Sequence, residues 1–360
     1  MDFGLSEEQV LLQDQLRRLL SERAATDWLR ETLADGPVHD DALWQALAEM
    51  GLTAVLVPEA HGGLGLGVLD AVLVQEALGA FAAPVSYTET AILAPLAITL
   101  AGTAAQQEQW LPSIADGSMQ VAVGLGGAGG SRDGAAVGVV DGKLSGRLLF
   151  VLGAPEAALL ICSSEAGDLY AVERDAKGME WQALHSVDDS RCLWEVNFNG
   201  AAAQLLPGGD KDILPTLYAA GRIALAADTL GAGKNMLDLA VAYAAQRKQF
   251  NRLIGSFQAV KHMCAEMAAE LEPARSLLWY SAHAFDHAPD ERVLMACHVK
   301  AHLSEVGTMV ARTATEVHGG MGFTDLLGLH YWFKRIGFNR QVLGSPERLR
   351  DEAAKVQGWI

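Results

Sequence analysis

The spacing of apolar residues predicts that the chain begins with helices. Ser6-Glu7-Glu8-Gln9 is a capping-box sequence, and the apolar residues from Val10 to Leu20 follow it at helical spacing. A second helix fits 40–50, with Gly51 as its C-terminal stop. A third is predicted to run from about residue 70 to about 78.

The pattern changes in the middle of the chain and then returns to helices. From about Met119 to Leu206, short apolar runs alternate with Gly, Asp and Asn, which is typical of short strands joined by turns. Ser345 is a candidate N-cap for a last helix, with Pro346 at its first position. Long Ala- and Leu-rich helices are predicted before it, over roughly 216–246, 257–287 and 291–317.

These patterns predict a mostly helical α+β protein of three domains. The order along the chain is an N-terminal helical domain at 1–117, a middle β-domain at 118–206 and a C-terminal four-helix-bundle domain at 207–360. With 360 residues, half of them hydrophobic, the chain is long enough to bury a large core.

Charge and composition argue against nucleic acid and membranes as binding partners. The formal charge of −17 repels phosphate backbones and anionic membranes, so nucleic acid is not expected as a partner. The longest apolar run, Thr90 to Gly102, contains Pro95 and falls short of the roughly 20 residues that a membrane-spanning helix needs. The first residues lead directly into a helical pattern without a signal or transit sequence, so a cytoplasmic location is expected.

Two further sequence patterns suggest a metal site and a dinucleotide-binding loop, and neither site is predicted. Cys297, His298 and His302 share a helical surface, but no fourth ligand is evident, so no metal site is predicted and all four cysteines are interpreted as buried thiols. The glycines of 62–67 suggest a dinucleotide-binding loop. However, residues 58–61 separate them from the preceding strand-like run, so we predict a turn that leads into a helix.

Three stretches carry a resemblance to a known family. They are His61-Gly62-Gly63-Leu64-Gly65, then Arg247-Lys248-Gln249-Phe250 with Phe257-Gln258, and His318-Gly319-Gly320-Met321-Gly322-Phe323-Thr324. Together they span most of the chain, and they resemble the acyl-CoA dehydrogenases. The order of helical, β and helical segments is also that family's order.

The resemblance implies a reaction whose base this chain lacks. Acyl-CoA dehydrogenases desaturate a thioester: a glutamate removes an α-proton while the β-hydrogen leaves as hydride to FAD. The family's Tyr-Glu-Gly-Thr segment falls on 342–345, where Leu343 replaces the glutamate. Some members carry the base immediately before an arginine, and the comparable residue here is Gly221. Glu347 and Asp351 are expected to lie in the solvated start of the last helix.

The resemblance also locates two segments that hold a flavin ring within its own chain. The Thr-Glu-Pro-x-x-Gly-Ser loop aligns with 125–131, which starts at Leu125, and the Trp-Ile-Thr strand aligns with Phe150-Val151-Leu152. Leucines at 125 and 152 replace the hydroxyls of the family. A flavin bound there would bury polar atoms without partners, at about 1–3 kcal/mol each.

A separate set of residues resembles the family's contacts with a neighbouring subunit's FAD. These implied cofactor-binding residues are Arg247, Gln249, Phe250, Gln258, Glu316, His318, Gly319 and Gly320. An arginine guanidinium can donate two charge-assisted hydrogen bonds to a phosphate. Glycine has no side chain, so its backbone N–H group can approach the cofactor closely. Glu316 departs from the family's glutamine. Under the alternative interpretation, Arg247 pairs with a surface acid and the glycines only cap a helix.

The resemblance therefore predicts the base-less small subunit of a heteromeric acyl-CoA dehydrogenase, an α2β2 assembly with a catalytic large subunit. The resemblance implies an acyl-CoA substrate, with an acyl group as bulky as a steroid side chain, and an electron-transfer flavoprotein as the acceptor. The chain alone is expected to be inactive. Two alternatives stay open: a homotetrameric dehydrogenase with a relocated base, and a flavin-free structural or CoA-binding protein.

Overall fold

The N-terminal part of the chain is helical. A computed structural model describes residues 4–23, 26–126, 135–208 and 213–360. A π-helical turn at Thr88–Leu93 continues directly into the fifth helix. The helices of this part are α1 (Glu7–Arg23), α2 (Thr26–Thr32), α3 (Asp41–Glu49), α4 (Val68–Ala80), α5 (Ala94–Ala101) and α6 (Ala104–Ala115).

The predicted helix boundaries here are confirmed by capping interactions. The backbone N–H of Gln9 donates to the Ser6 hydroxyl at 3.2 Å, and the Gln9 side chain accepts from the Ser6 N–H at 3.0 Å. The Asp40 carboxylate accepts from the N–H of Leu43 at 2.8 Å at the start of α3. Gly51, just beyond that helix, has φ +74°, a conformation that glycine adopts without strain.

The glycine-rich segment near residue 62 is a turn, as predicted. The backbone N–H groups of Leu64, Gly65 and Leu66 donate to the carbonyls of Ala54, Val57 and Val55, each at 2.9 Å. Because these N–H groups are already used within the turn, they are not available to a phosphate. The dinucleotide-binding interpretation is therefore excluded.

The middle of the chain forms one sheet of eight strands in the order β6-β7-β3-β1-β4-β5-β8, with β2 paired to β3. Strands β1 and β4 pair in parallel, and the other described pairs are antiparallel. The strands are β1 (Val121–Gly124), β2 (Val137–Val140), β3 (Lys143–Leu152), β4 (Leu159–Ser163), β5 (Leu169–Glu173), β6 (Met179–Leu184), β7 (Leu193–Ala202) and β8 (Gln204–Leu205).

The last part of the chain is again helical. A short hairpin of β9 (Lys248–Gln249) and β10 (Arg252–Leu253) separates the first two long helices. Ser345 caps the last helix and Pro346 starts it, as predicted. The helices are α7 (Ile213–Gln246), α8 (Gln258–His287), α9 (Arg292–His318), α10 (Leu329–Gln341) and α11 (Pro346–Val356).

The first and last helical parts share one hydrophobic core, while the sheet adds a second. Helices α4 and α7 cross closely at glycines, since a Cβ at Gly231 would collide with the carbonyl of Glu76. The predicted mostly helical α+β fold is confirmed. The domain boundaries remain predictions, with α6 ending at Ala115, β1 starting at Val121 and α7 starting at Ile213.

One prediction about the cysteines is wrong. Cys162, Cys192 and Cys297 are buried, but Cys264 is only partly buried, because it lies on the side of α8 beside an open groove. Within the described ranges, no group of His, Cys, Asp and Glu is arranged to hold a metal ion. No helix among those residues is both long enough and apolar enough to cross a bilayer.

Candidate active site and cofactor-binding face

A cavity of about 370 Å³ lies between the sheet and the helices α7 and α10. Its wall is formed mainly by apolar side chains. The described lining residues are Thr88, Glu89, Leu93, Val123, Leu125, Gly126, Ala135, Arg147, Leu148, Leu149, Phe150, Leu152, His185, Ser186, Val187, Leu193, Leu225, Gly337, Phe338, Gln341, Val342 and Leu343.

The two residues expected at the base positions lie against each other, and one of them, Leu343, lines this cavity. Leu343 follows the end of α10, and its φ of +57° is rare for a residue with a Cβ. Gly221 lies in α7, and a Cβ at Gly221 would be 2.5 Å from the Cδ1 of Leu343. The leucine therefore fills the space that a side chain at residue 221 would need. Neither position offers a group that can accept a proton.

A buried arginine holds the turn that carries Leu343. Arg222 donates from Nε to the Leu343 carbonyl at 3.0 Å, and from its terminal nitrogens to both carboxylate oxygens of Glu352, at 2.7 and 2.8 Å. Burial of Glu352 acts to raise its pKa, but the hydrogen bonds and charge of Arg222 outweigh it, so the pKa is lowered. The bidentate pair fixes α11 against the turn.

The two acids near Leu343 in the sequence face elsewhere. Glu347 accepts from Arg340 at 3.1 Å, and Asp351 accepts from Lys355 at 2.6 Å, both in exposed positions. Neither belongs to the described lining of the cavity. The expectation that they lie in a solvated part of the last helix is confirmed.

Leucines lie at the cavity where the two aligned flavin segments have hydroxyls in the family. Leu125 and Leu152 line the cavity. The N–H of Gly126 donates to the Ser163 hydroxyl at 2.8 Å, and its carbonyl accepts from the Tyr218 hydroxyl, so these backbone groups are already paired. Residues 127–131 of the aligned loop lie outside the described residues. The groups that are described do not fit the polar edge of a flavin ring.

A β-bulge brings the second aligned segment to the cavity. Leu148 pairs with Val196 and Val151 with Trp194, so β3 has one more residue than β7 between these pairs. Phe150 lies in this bulge with φ +60° and lines the cavity. Phe150 and Leu152 belong to the segment that aligns with the family's Trp-Ile-Thr strand. Both contribute hydrophobic side chains to the cavity wall.

The cavity also contains a buried carboxyl side chain that was not predicted from the sequence. Glu89, on the π-helical turn, is only 2% exposed and is the one carboxyl side chain in the described lining. Its Oε1 has no hydrogen-bond partner among the described residues. Burial raises the pKa of Glu89, and the charge of Arg191 opposes this only in part. The sequence gives no signal, because Glu89 simply adjoins an apolar helical run.

A buried ionic network supports the wall beside Glu89. Asp228 accepts from Arg335 at 2.8 and 2.7 Å, and from the Gln75 side chain at 2.7 Å. Thr88, beside Glu89, donates to Gln75 at 2.9 Å. Burial acts to raise the pKa of Asp228, but Arg335 and Arg191 lower it strongly, so the carboxylate is ionised. The network fixes α7 and α10 relative to the π-helical turn.

A second group of predicted residues lies on an exposed face at the far end of α7. The side chain of Arg247 is exposed, and within the described residues it forms no ion pair or hydrogen bond. Phe250 is 88% exposed with φ +51°, and Gln249 and Gln258 are also exposed. No described surface acid pairs with Arg247. An unpaired guanidinium of this kind fits a phosphate.

The loop after α9 approaches the same end of α7. The ring of His318 lies 4.5 Å from that of Tyr243, four residues before Arg247. His318 itself is buried, and its Nδ1 is 2.7 Å from the carbonyl of Ala314, so this side chain is part of the packing. Glu316 and Gly320 are exposed, and Gly319 has φ +60° at the end of the helix. Gly319 therefore does cap α9.

Comparison with known proteins identifies the family. Residues 6–118 match "Acyl-CoA dehydrogenase, N-terminal domain", and residues 213–357 match "Acyl-CoA dehydrogenase, C-terminal domain". The chain belongs to the acyl-CoA dehydrogenase family. The predicted resemblance is confirmed, and with it the predicted cofactor class, because this is a family of FAD-dependent flavoproteins that act as oxidoreductases on CH–CH bonds.

Individual relatives of the family match over at least 98% of this chain. The acyl-CoA dehydrogenase IpdE2 of Mycolicibacterium smegmatis is 28% identical, over 98% of this chain and 100% of that protein. A variant of the Tcur3481-Tcur3483 steroid ACAD is 30% identical with a TM-score of 0.89, over 98% of both chains. A chain of the ChsE4-ChsE5 complex from Mycobacterium tuberculosis is 27% identical with a TM-score of 0.91, over 100% of both.

Proposed function

We propose that this chain is the non-catalytic subunit of a heteromeric FAD-dependent acyl-CoA dehydrogenase, and that it lends cofactor-binding residues to a catalytic partner. The observation that carries the proposal is a difference between two sites of the molecule. At the site expected to bind its own flavin and to hold the base, leucines stand at positions 125, 152 and 343, where the family has hydroxyls and the glutamate. The face resembling a neighbour's cofactor contact keeps an exposed, unpaired Arg247.

The chain has no proton acceptor at either base position known in the family. Desaturation of an acyl-CoA requires removal of an α-proton, and a leucine or glycine side chain cannot accept one. Leu343 also closes the space above Gly221, so neither known base position is available. The partner subunit would therefore supply the glutamate. When bound, FAD accepts the β-hydrogen as hydride.

The exposed face around Arg247 carries groups that suit a pyrophosphate. Arg247 would bind the pyrophosphate of the partner's FAD through charge-assisted hydrogen bonds, with the open backbone at Gly319 and Gly320 nearby. Gln249, Phe250 and Gln258 would complete this contact. The carboxylate of Glu316 would repel a phosphate, so we assign it to a ribose hydroxyl. His318 would act through the packing of the loop.

The assembly and the reaction partners follow by analogy with relatives. One similar structure is of a complex of two named chains, and another is described as a steroid ACAD. We propose an α2β2 assembly in the cytoplasm, which acts on an acyl-CoA thioester as bulky as a steroid side chain and passes electrons to an electron-transfer flavoprotein.

Counting the flavins tests the proposal. The chain is co-expressed with a dehydrogenase-like partner, the intact complex is weighed by native mass spectrometry, and FAD is measured by absorbance after release. Two FAD per tetramer are expected, because each small subunit has one apolar pocket. Four FAD per tetramer would overturn the proposal, and a colourless complex would favour the flavin-free alternative.

Glu89 favours a second candidate, a homo-oligomeric dehydrogenase with a relocated base. It lies one helical turn before Leu93, whose methyl groups would be 3.6 and 3.7 Å from a Cβ at Gly221. A carboxyl with a raised pKa is suited to proton transfer. The test is acyl-CoA-dependent dye reduction by the chain purified alone: turnover that disappears in Glu89→Gln supports this candidate, and its absence removes it.

A further inference from the structure

The hairpin of β9 and β10 brings a second arginine to the face of Arg247. Gln249 pairs with Arg252 across the hairpin. Phe250 and Asn251 form the turn between them, and both have positive φ, at +51° and +61°. Positive φ at both central residues is typical of the tight two-residue turn that suits the twist of a hairpin. Because the turn is so short, Gln249 and Arg252 lie directly opposite each other.

The register of the hairpin decides on which face each charge lies. The ladder extends to Arg247, whose carbonyl accepts its next hydrogen bond at 2.8 Å. Side chains alternate along a strand, so Arg247 and Gln249 share one face, and Arg252 shares it as the pair of Gln249. Lys248 and its pair Leu253 lie on the other face. Leu253 lines the open groove between α7 and α8, so this other face is directed towards that groove.

The guanidinium of Arg252 is held on an aromatic ring. Its central carbon lies 3.8 Å from the centre of the Phe257 ring, which is a cation–π contact. The Phe250 ring packs edge-on against Phe257, with the ring centres 6.1 Å apart. Stacking uses one face of the guanidinium and leaves the N–H donors in its plane free. Arg252 is exposed, and within the described part of the chain no carboxylate pairs with it.

The charge of the expected ligand calls for more than one cation. The pyrophosphate of a dinucleotide is a doubly charged anion, and Arg247 compensates only part of that charge. The register directs Lys248 away from this face and places Arg252 on it. A guanidinium with free donors can bind phosphate oxygens through two charge-assisted hydrogen bonds. Arg252 therefore has the charge, the direction and the free donors that the second cation needs.

We propose that Arg252 is a second phosphate-binding residue of this face, and that it shares the pyrophosphate of the partner's FAD with Arg247. Phe257 is a positioning residue, because it holds the guanidinium and does not itself touch the cofactor. This inference rests on the subunit role proposed above. It adds a residue that is not among those implied by the family resemblance.

Equilibrium dialysis of the flavin-free complex against FAD and against ADP tests the assignment. ADP carries the pyrophosphate and the adenosine without the flavin ring, so it reports on this face. Arg252→Ala should weaken binding of both ligands about tenfold. Arg252→Lys keeps the charge but loses the stacked, planar group, so it should recover only part of the affinity. Lys248→Ala removes the same charge from the other face and should change either affinity less than about twofold.

A double-mutant cycle tests the role of the aromatic ring. Phe257→Leu keeps an apolar side chain and should weaken FAD binding about threefold, because the guanidinium is then less fixed. In the Arg252→Ala background the same change should have no further effect. A ring that only stabilises the fold would give the same loss in both backgrounds, which would overturn its positioning role. Circular dichroism confirms that each variant is folded.

Measuring Arg247→Ala alongside separates this inference from the subunit role. Loss of FAD binding in Arg247→Ala with unchanged binding in Arg252→Ala would overturn the inference and leave the subunit role standing. Equal losses from Arg252→Ala and Lys248→Ala would also overturn it, because they would indicate a general effect of charge. If neither Arg247→Ala nor Arg252→Ala weakens binding, this face holds no cofactor and both proposals fail.

Discussion

Gly221 and Leu343 exclude one another's side chains: a Cβ on the glycine would lie 2.5 Å from a methyl group of the leucine. They are 122 positions apart in the chain, being residues 221 and 343, and they stand at the two alternative base positions that the family resemblance implies. The contact makes the two positions dependent on each other. A change at one must be judged with the other in place.

This dependence predicts a non-additive pair of mutations. Gly221→Ala should destabilise the fold by about 1–3 kcal/mol through overpacking, despite the better helix propensity of alanine. Combining it with Leu343→Ala should cost less than the sum of the single changes, by at least about 1 kcal/mol. Urea unfolding of the four proteins measures this coupling.

Gly337→Ala is the matched control, because Gly337 is also a helical glycine but a Cβ there meets no atom within 4 Å. It should stabilise the protein by up to about 1 kcal/mol. Additivity within about 0.5 kcal/mol for the Gly221 and Leu343 pair would mean that the leucine simply moves aside.

A second prediction concerns restoring the base. Leu343→Glu should not give the isolated chain acyl-CoA-dependent dye reduction, because Leu125 and Leu152 still leave the flavin ring without polar partners. Wild type and variant are assayed side by side with added FAD. Turnover by the variant alone would show that the pocket is competent and that only the base was missing.

A third prediction concerns the exposed face. Arg247→Ala should weaken FAD binding by the complex through the loss of charge-assisted hydrogen bonds, worth roughly 1.5–3 kcal/mol. Equilibrium dialysis against FAD measures the change. Lys248→Ala removes a neighbouring exposed charge and serves as the control. Equal losses from both variants would indicate a general charge effect instead of a specific phosphate contact.

A fourth prediction concerns a buried lysine. Lys300 is 1% exposed and donates to the carbonyl of Asn339 at 2.5 Å. Burial, with Arg222 and Arg340 nearby, lowers its pKa from 10.5 to about 7. Between these two pKa values the unfolded chain holds a proton that the folded chain lacks. The stability contribution of Lys300 therefore rises with pH across this window and is least favourable below about pH 7.

Replacing this lysine with an apolar residue should consequently increase the free energy of unfolding most at low pH. The change in unfolding free energy on Lys300→Met should be more favourable at pH 6 than at pH 9.5, by about 3 kcal/mol. Urea unfolding at both pH values provides the measurement, and exposed Lys355→Met is the control. If both variants respond to pH alike, Lys300 keeps its proton when folded.

Local sequence patterns predicted the helices well because their end signals are local. Ser6 with Gln9, and Ser345 with Pro346, mark helix starts in both sequence and structure. The π-helical turn at Thr88–Leu93 was not predicted, since its backbone pattern depends on packing against α4 and α7 more than on any residue type.

Residues of the candidate site could be predicted only where they align with a sequence motif of the family. The meeting of Gly221 with Leu343 follows from how α7 and the turn after α10 pack, and no local signal encodes it. Glu89 was missed for the same reason, because an acid beside an apolar helical run usually reaches solvent. The exposure of Arg247 was expected, whereas the burial of His318 depends on its packing against Tyr243.

Phe250 and Phe323 expose 88% and 84% of their surfaces to water. Large aromatic groups in such positions lower the solubility of any copy whose face stays uncovered, because burying apolar surface against another molecule is favourable. A cell that makes this chain in excess would then lose the surplus to aggregation or proteolysis. If a partner covers these aromatic groups, as proposed, the usable amount of the protein would be set by how quickly that happens after synthesis.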